Sequence, residues 1–219
     1  MMKTVFLDIE TIPAQSAAVA QEFRDAVKPP GNIKKPESIA AWLAENGEAA
    51  AAEALAKTSF DPALGHICTI GWAVGDEWPT VAHAETENGE ADVLRAFFAA
   101  INSQHRHQFV GHFIGGFDLR FILCRAVALG VMIPASIPRD IKPWSSQIFD
   151  TMTAWAGARG SISLDNLCKA LGVEGKTGFD GSMVAGAWAD GQHDVIAGYC
   201  ADDVRRVQQV WAKFQAAGF

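Results

Sequence analysis

Residues 3–10, KTVFLDIE, do most to constrain how this chain can fold. They read as a β-strand built from apolar, β-branched and aromatic residues, yet they end in two carboxylates. Side chains alternate across a strand, so Asp8 and Glu10 share a face with Phe6 while Leu7 and Ile9 point the other way. Two acids side by side at the end of an apolar strand repel each other and lose solvation. A divalent cation removes both penalties, and hard cations such as Mg²⁺ and Mn²⁺ take oxygen ligands. The plainer alternative is that the strand simply ends here and the acids are wet.

The order of the other elements sets the fold class. Residues 16–27 read as a short helix, and KPPGN at 28–32 breaks it. The alanine- and glutamate-rich stretch from Pro36 to Lys57 predicts a helix interrupted near Gly47. HICTIGWAV at 66–74 and WPTVAHAE at 78–85 predict a hairpin turning at Gly75 and Asp76. Val93, Leu94, Phe97, Phe98 and Ile101 recur at helical spacing over 89–102. HQFVGHF predicts a further strand, and FDLRFILCRAVALG a helix ended by Gly130. Pro134, Pro138 and Pro143 mark 131–149 as a loop. SLDNLCKALG predicts a helix with Ser163 as N-cap and Gly172 past its end. Residues 192–216 predict a last, long helix. Strands that meander before the first helix crosses over favour a mixed sheet flanked by helices.

The chain has 219 residues, 49% of them hydrophobic, which suits one domain with a sizeable core. The expected organisation is a single domain over residues 1–219, with a helical insertion at 28–65. No apolar run is long enough to span a bilayer, so no membrane role is expected. The N-terminus has acids inside its apolar stretch and does not read as a signal peptide. Cys68, Cys124, Cys168 and Cys200 are widely spaced without a CxxC pair, as expected of reduced thiols in a cytoplasmic protein. A net charge of −7 argues against a protein that coats nucleic acid by charge alone. It leaves open an enzyme that meets a polyanion through bound metal ions.

Two more acidic clusters follow the first. In GHFIGGFDLRFIL, Asp118 lies just inside a helix, where the dipole favours an acid; simple capping would explain it. In GYCADDVRRV, Tyr199, the sole tyrosine, stands at i and Asp203 at i+4, one above the other on a helix face. Asp202, at i+3, is also near. Taken alone, this turn reads as surface helix.

Together, FLDIET (6–11), FDLRFI (117–122), SLDNLCKALG (163–172) and YCADDV (199–204), in that order, resemble the DEDD superfamily of 3′–5′ exonucleases in its tyrosine-bearing branch. The nearest likeness is to the exonuclease domain of family B DNA polymerases and its stand-alone relatives. The resemblance frames residues 6–204. It implies a ribonuclease H-like α/β fold with a central mixed five-stranded sheet between helices. It also implies that Asp8, Glu10, Asp118 and Asp203 bind two divalent metal ions, Mg²⁺ or Mn²⁺, with Tyr199 beside the attacking water and Asp202 a bystander. The chain departs at one position: relatives commonly read GHNxxxFD, whereas Phe113 stands here in place of the asparagine. That puts in doubt how nucleotides beside the scissile bond are held.

The implied activity is hydrolysis of phosphodiester bonds at the 3′ end of a single strand, DNA favoured over RNA. The alternatives are an RNA-directed exonuclease or a weakly active or inactive nucleic-acid-binding module of the same fold. A polymerase or repair partner is not legible. Thr11, Ile12, Phe117 and Trp144 are the expected substrate contacts through stacking and close approach. Lys142, Arg159 and Lys176 are candidates for phosphates. For Trp144 a packing role is an equal alternative.

Overall fold

The first strand, β1 (Lys3–Ile12), sorts its side chains strictly by face. Val5, Leu7 and Ile9 enter one buried cluster and Phe6 enters another on the opposite side. A strand buried on both faces needs a layer of helices on each. The computed structural model describes residues 2–101, 106–142, 145–175 and 178–219 and shows that arrangement.

After β1 come α1 (Ala17–Ala26) and α2 (Pro36–Ala56), packed on one another, and a 3₁₀ turn at Lys57–Phe60. The chain then forms β2 (His66–Val74), β3 (Thr80–His83), α3 (Glu90–Ile101), β4 (His107–Gly111) and α4 (Asp118–Ala128). It continues with β5 (Ile148–Asp150), α5 (Thr151–Ala156), α6 (Leu164–Leu171), α7 (Val184–Ala189) and α8 (His193–Ala216). The sheet order is β3-β2-β1-β4-β5, antiparallel across β3, β2 and β1 and parallel across β1, β4 and β5. The α/β class and mixed five-stranded sheet expected from the sequence are present.

Val93, Leu94, Phe97, Phe98 and Ile101 of α3 pack with Leu119, Phe121 and Ile122 of α4 against one face. Leu164, Leu167 and Cys168 of α6 and Val204, Val207, Val210 and Phe214 of α8 cover the other. Ser163 caps α6, its hydroxyl accepting from the Asn166 N–H at 3.2 Å. Gly172 ends that helix in the left-handed region at φ 65°, where glycine carries no steric cost.

Three expectations need correction. Residues 36–56 form one continuous helix through Gly47, where a Cβ would meet only Leu43, at 4.0 Å, so the glycine marks no bend. The stretch 131–149, expected as loop, supplies most of the edge strand β5, which pairs Phe109 with Ile148 and Val110 with Phe149. The first of the hairpin strands fits, but β3 is shorter than expected, Thr80–His83.

Candidate active site

The site lies near the end of β1, where its two neighbours part. β4 pairs with β1 only from Lys3 to Phe6, so beyond that point one edge of β1 lacks a ladder partner. Asp118, first residue of α4, fills the gap: its Oδ1 accepts the Ile9 N–H at 3.1 Å. On the other edge the β1–β2 register shifts between Glu10 and Thr11, with Glu10 opposite Thr69 and Thr11 opposite Ile67. Cys68 is the extra residue, and its thiol donates to the Glu10 carbonyl at 3.3 Å. Bulges of this kind commonly re-aim a strand beside an active site.

Helix α8 approaches because β2 carries a glycine. Gly71 stands opposite Asp8 in the ladder. A Cβ on it would lie 2.8 Å from Cys200 Sγ and 3.0 Å from Val204 Cγ2. Without that Cβ the helix settles on the sheet and brings Tyr199 and Asp203 to Asp8.

The resulting site gathers negative charge. Asp118, Asp203 and Glu10 are buried, and Asp8 is half-buried with its Oδ2 fully enclosed. That Oδ2 has no hydrogen-bond partner among the described residues. Burial, then the charges of Glu10, Asp203 and Asp118, hold the Asp8 carboxyl well above the usual range. Burial also raises Asp118; its own and the Ile9 N–H groups pull it back, Asp150 and Asp203 push it up, and it rests at about 8. An enclosed carboxylate oxygen without a donor, among further acids, is the environment in which a cation relieves both desolvation and repulsion.

Asp8, Glu10 and Cys200 bring potential ligand atoms within 4.8 Å of one another. Asp118 and Asp203 couple to Asp8 through charge but stand outside that closest group. Both are otherwise engaged, Asp118 by the Ile9 N–H and Asp203 by a buried ion pair with Arg206. Arg206 pairs with Asp203 and, with Arg205, also lines the cavity that Asp202 borders. Asp202 is exposed, bordering an open cavity with Glu174, Arg205 and Gln209.

Tyr199 is buried, its ring 5.0 Å from that of Phe179, in a cluster with Ile12, Val184 and Ile196. Its hydroxyl bonds to Asp203, and burial, with the charges of Asp203, Glu10 and Asp8, drives its pKa far upward. The phenol therefore stays neutral.

The expected substrate contacts divide. Phe117 is half-buried at the lip, its ring 5.4 Å from Phe121. Thr11 is half-buried, and its hydroxyl donates to the Ser59 carbonyl at 2.8 Å. Ile12 is 1% exposed. Its side chain is closed to substrate and supports Tyr199 instead, a correction to the expectation. Trp144 and Lys176 lie outside the described residues. Lys142 pairs with Asp140 at 2.7 Å, and Arg159 is exposed.

One residue joins the site that sequence reasoning passed over. Asp150, at the end of β5, accepts N–H bonds from Phe113, Met152 and Thr153 and adds its charge to Asp118. The Asp150–Thr151 pair ahead of a short apolar run was a legible N-cap signal. Phe113 is the one non-glycine residue with positive φ among the described residues, at 60°, and is 46% exposed. Such strain costs of order 1–3 kcal/mol and gathers at functional sites. Its ring packs on Gly116, where a Cβ would stand 2.3 Å from it, and lines a cavity of about 320 Å³ with Lys142, Asp150 and Thr153.

The chain is similar to the family B DNA polymerase of the hyperthermophilic archaeon Pyrobaculum calidifontis, with TM-score 0.60 and 17% identity over 98% of this chain. It spans 25% of that polymerase's length. The likeness fits the ribonuclease H-like arrangement of the sheet. No curated protein matches the sequence. Residues 63–218 match the model of a family described as predicted 3′–5′ exonucleases related to the exonuclease domain of PolB. That match takes in Asp118, Tyr199 and Asp203, and it extends over more than half of the sequence: the chain belongs to this family of PolB-related exonucleases.

Proposed function

We propose that the protein is an active, metal-dependent 3′–5′ exonuclease that shortens single-stranded nucleic acid, DNA in preference to RNA, with Asp8, Glu10, Asp118 and Asp203 holding two divalent cations, Mg²⁺ or Mn²⁺. The observation that carries this reading is the charge coupling of Glu10, Asp203 and Asp118 to Asp8, whose enclosed Oδ2 has no hydrogen-bond partner among the described residues. The donor set is dominated by hard oxygen, which suits both ions. Two such ions supply a nucleophile at neutral pH and stabilise the leaving 3′ oxygen.

The chain's own groups do the remaining work. Ile9 N–H fixes the Asp118 carboxylate, and Gly71 lets α8 bring Asp203 near enough to act on Asp8 by charge. Tyr199, neutral and tied to Asp203, orients the attacking water rather than removing its proton. Phe117 and Phe113, on either side of the turn into Asp118, offer apolar surface to the unpaired end of the strand. The free thiols of Cys68, Cys124, Cys168 and Cys200 suit a reducing compartment, the cytoplasm in this reading. No described helix is long and apolar enough to cross a membrane.

One observation favours a second reading, a nucleic-acid-binding module that hydrolyses weakly or not at all: Arg206 already neutralises Asp203. Matched DNA and RNA oligonucleotides incubated with Mn²⁺, Mg²⁺ or chelator separate the two. Cation-dependent shortening supports the nuclease and ranks its substrates. Binding without shortening in either cation supports the module.

A further inference from the structure

Phe60 ends the 3₁₀ turn that follows α2 and is 72% exposed. The turn beneath it is firmly held. Thr11 Oγ1 donates to the Ser59 carbonyl at 2.8 Å, and Thr58 Oγ1 accepts the Ala14 N–H at 2.8 Å while donating to the Leu55 carbonyl at 2.6 Å. Gly65 lies so close that a Cβ would stand 2.4 Å from the Thr58 carbonyl. The Phe60 ring tilts by 57° over Phe117, 6.3 Å between centroids.

These tethers fix where the ring sits. Thr11 directly follows Glu10 in β1, and Phe117 directly precedes Asp118 in α4. Phe60 is therefore tied to both segments that carry these carboxylates, through the Thr11 hydrogen bond to its neighbour Ser59 on one side and its own ring contact with Phe117 on the other. An aromatic ring left in water forgoes the burial that would stabilise the fold. Held rigidly at the mouth of an acidic site, it can stack a planar base with little ordering cost.

We infer that Phe60 is a stacking platform for a nucleobase flanking the scissile phosphodiester, carried to the site by the helical segment between β1 and β2. The inference rests on the nuclease reading. Stacking is indifferent to base identity and to the sugar, so this contact grips the strand without selecting sequence. Phe60 precedes the stretch that matches the family, which starts at residue 63.

The test pairs Phe60→Ala, Phe60→Leu and Phe60→Trp with three single strands: one unmodified, one abasic at the 3′-terminal nucleotide and one abasic at the penultimate nucleotide. Phe60→Ala is expected to raise KM on the unmodified strand roughly 10- to 100-fold, the range for loss of one base–aromatic stack. Phe60→Leu, which keeps apolar contact with Phe117, should follow alanine, and Phe60→Trp should restore binding. On one abasic strand the wild type should lose as much as Phe60→Ala does, and the substitution should add nothing further. Unchanged KM in Phe60→Ala, wild-type behaviour in Phe60→Leu, or losses that multiply on both abasic strands would overturn the inference while leaving an active nuclease. A wild type that hydrolyses no strand in Mn²⁺ or Mg²⁺ overturns the nuclease reading itself.

Discussion

Asp118→Asn should stabilise the metal-free protein. The folded carboxyl rests at about 8, against an unfolded value of roughly 3.9. For an acid this direction means that the folded state holds its proton more tightly, so the group costs stability as pH rises from the unfolded value to the folded one. At about 1.4 kcal/mol per pH unit, the penalty reaches about 4 kcal/mol at pH 7 and about 1–2 kcal/mol at pH 5. Asparagine does not titrate, and its carbonyl oxygen still accepts the Ile9 N–H. Its buried amide adds a cost of about 1–2 kcal/mol if it finds no acceptor. The net gain is therefore about 2–3 kcal/mol at pH 7 and close to nothing at pH 5. For a chain of this size that gain corresponds to a rise of about 5–10 °C in Tm at pH 7. Scanning calorimetry in chelator at both pH values measures it. Added Mn²⁺ should raise the Tm of the wild type, because it binds only the folded site, and should raise that of the variant far less. A lower Tm for Asp118→Asn at pH 7, or the same difference at pH 5 and 7, would refute the reasoning.

Asp203→Asn should nearly abolish hydrolysis and Asp202→Asn should spare most of it, since the two project about 100° apart on the helix; in the same oligonucleotide assay Tyr199→Phe should fall between them, with a loss of ~10²–10⁴-fold. Gly71→Ala drives a methyl into Cys200 and Val204 and should displace α8, costing about 1–3 kcal/mol by chemical denaturation and lowering kcat. Glu90 is 1% exposed; burial alone would raise its carboxyl, but His66, Arg125 and the Ile67 N–H outweigh it and hold it below its usual value. A depressed acid stabilises the fold above its unfolded value of roughly 4.3 and loses that contribution as pH falls through the folded value. Glu90→Gln should therefore cost about 3–5 kcal/mol near neutrality by leaving Arg125 unpaired, with the difference from wild type shrinking in acid.

What the sequence made legible follows the range of the forces involved. Alternation along residues 3–10 assigned Asp8 and Glu10 to the face of Phe6, and the structure turns that face toward α8. Ser163 and Gly172 marked the ends of α6 because caps are local chemistry. The failures came where distant partners decide. β5 is three residues long and holds its shape by parallel pairing with β4, which leaves no periodicity to read. Gly47 lost its force as a breaker because it lies within an alanine-rich helix. Ile12 is an apolar residue beside the carboxylates of β1, and only the tertiary packing of α7 and α8 shows that it is enclosed. Gly71 matters through the seating of α8 on β2, and nothing in its neighbours announces it.

The central claim is cation-dependent removal of nucleotides from a 3′ end, and one measurement addresses it directly. A single-stranded DNA labelled at its 5′ end is incubated with the protein and Mn²⁺, beside the same strand carrying a 3′-phosphate and a circular strand. The account predicts a ladder descending from full length that disappears with chelator, is impeded by the 3′-phosphate and never forms from the circle. Release of the 5′ label as a first product, cutting of the circle, or an intact strand in both Mn²⁺ and Mg²⁺ would contradict it.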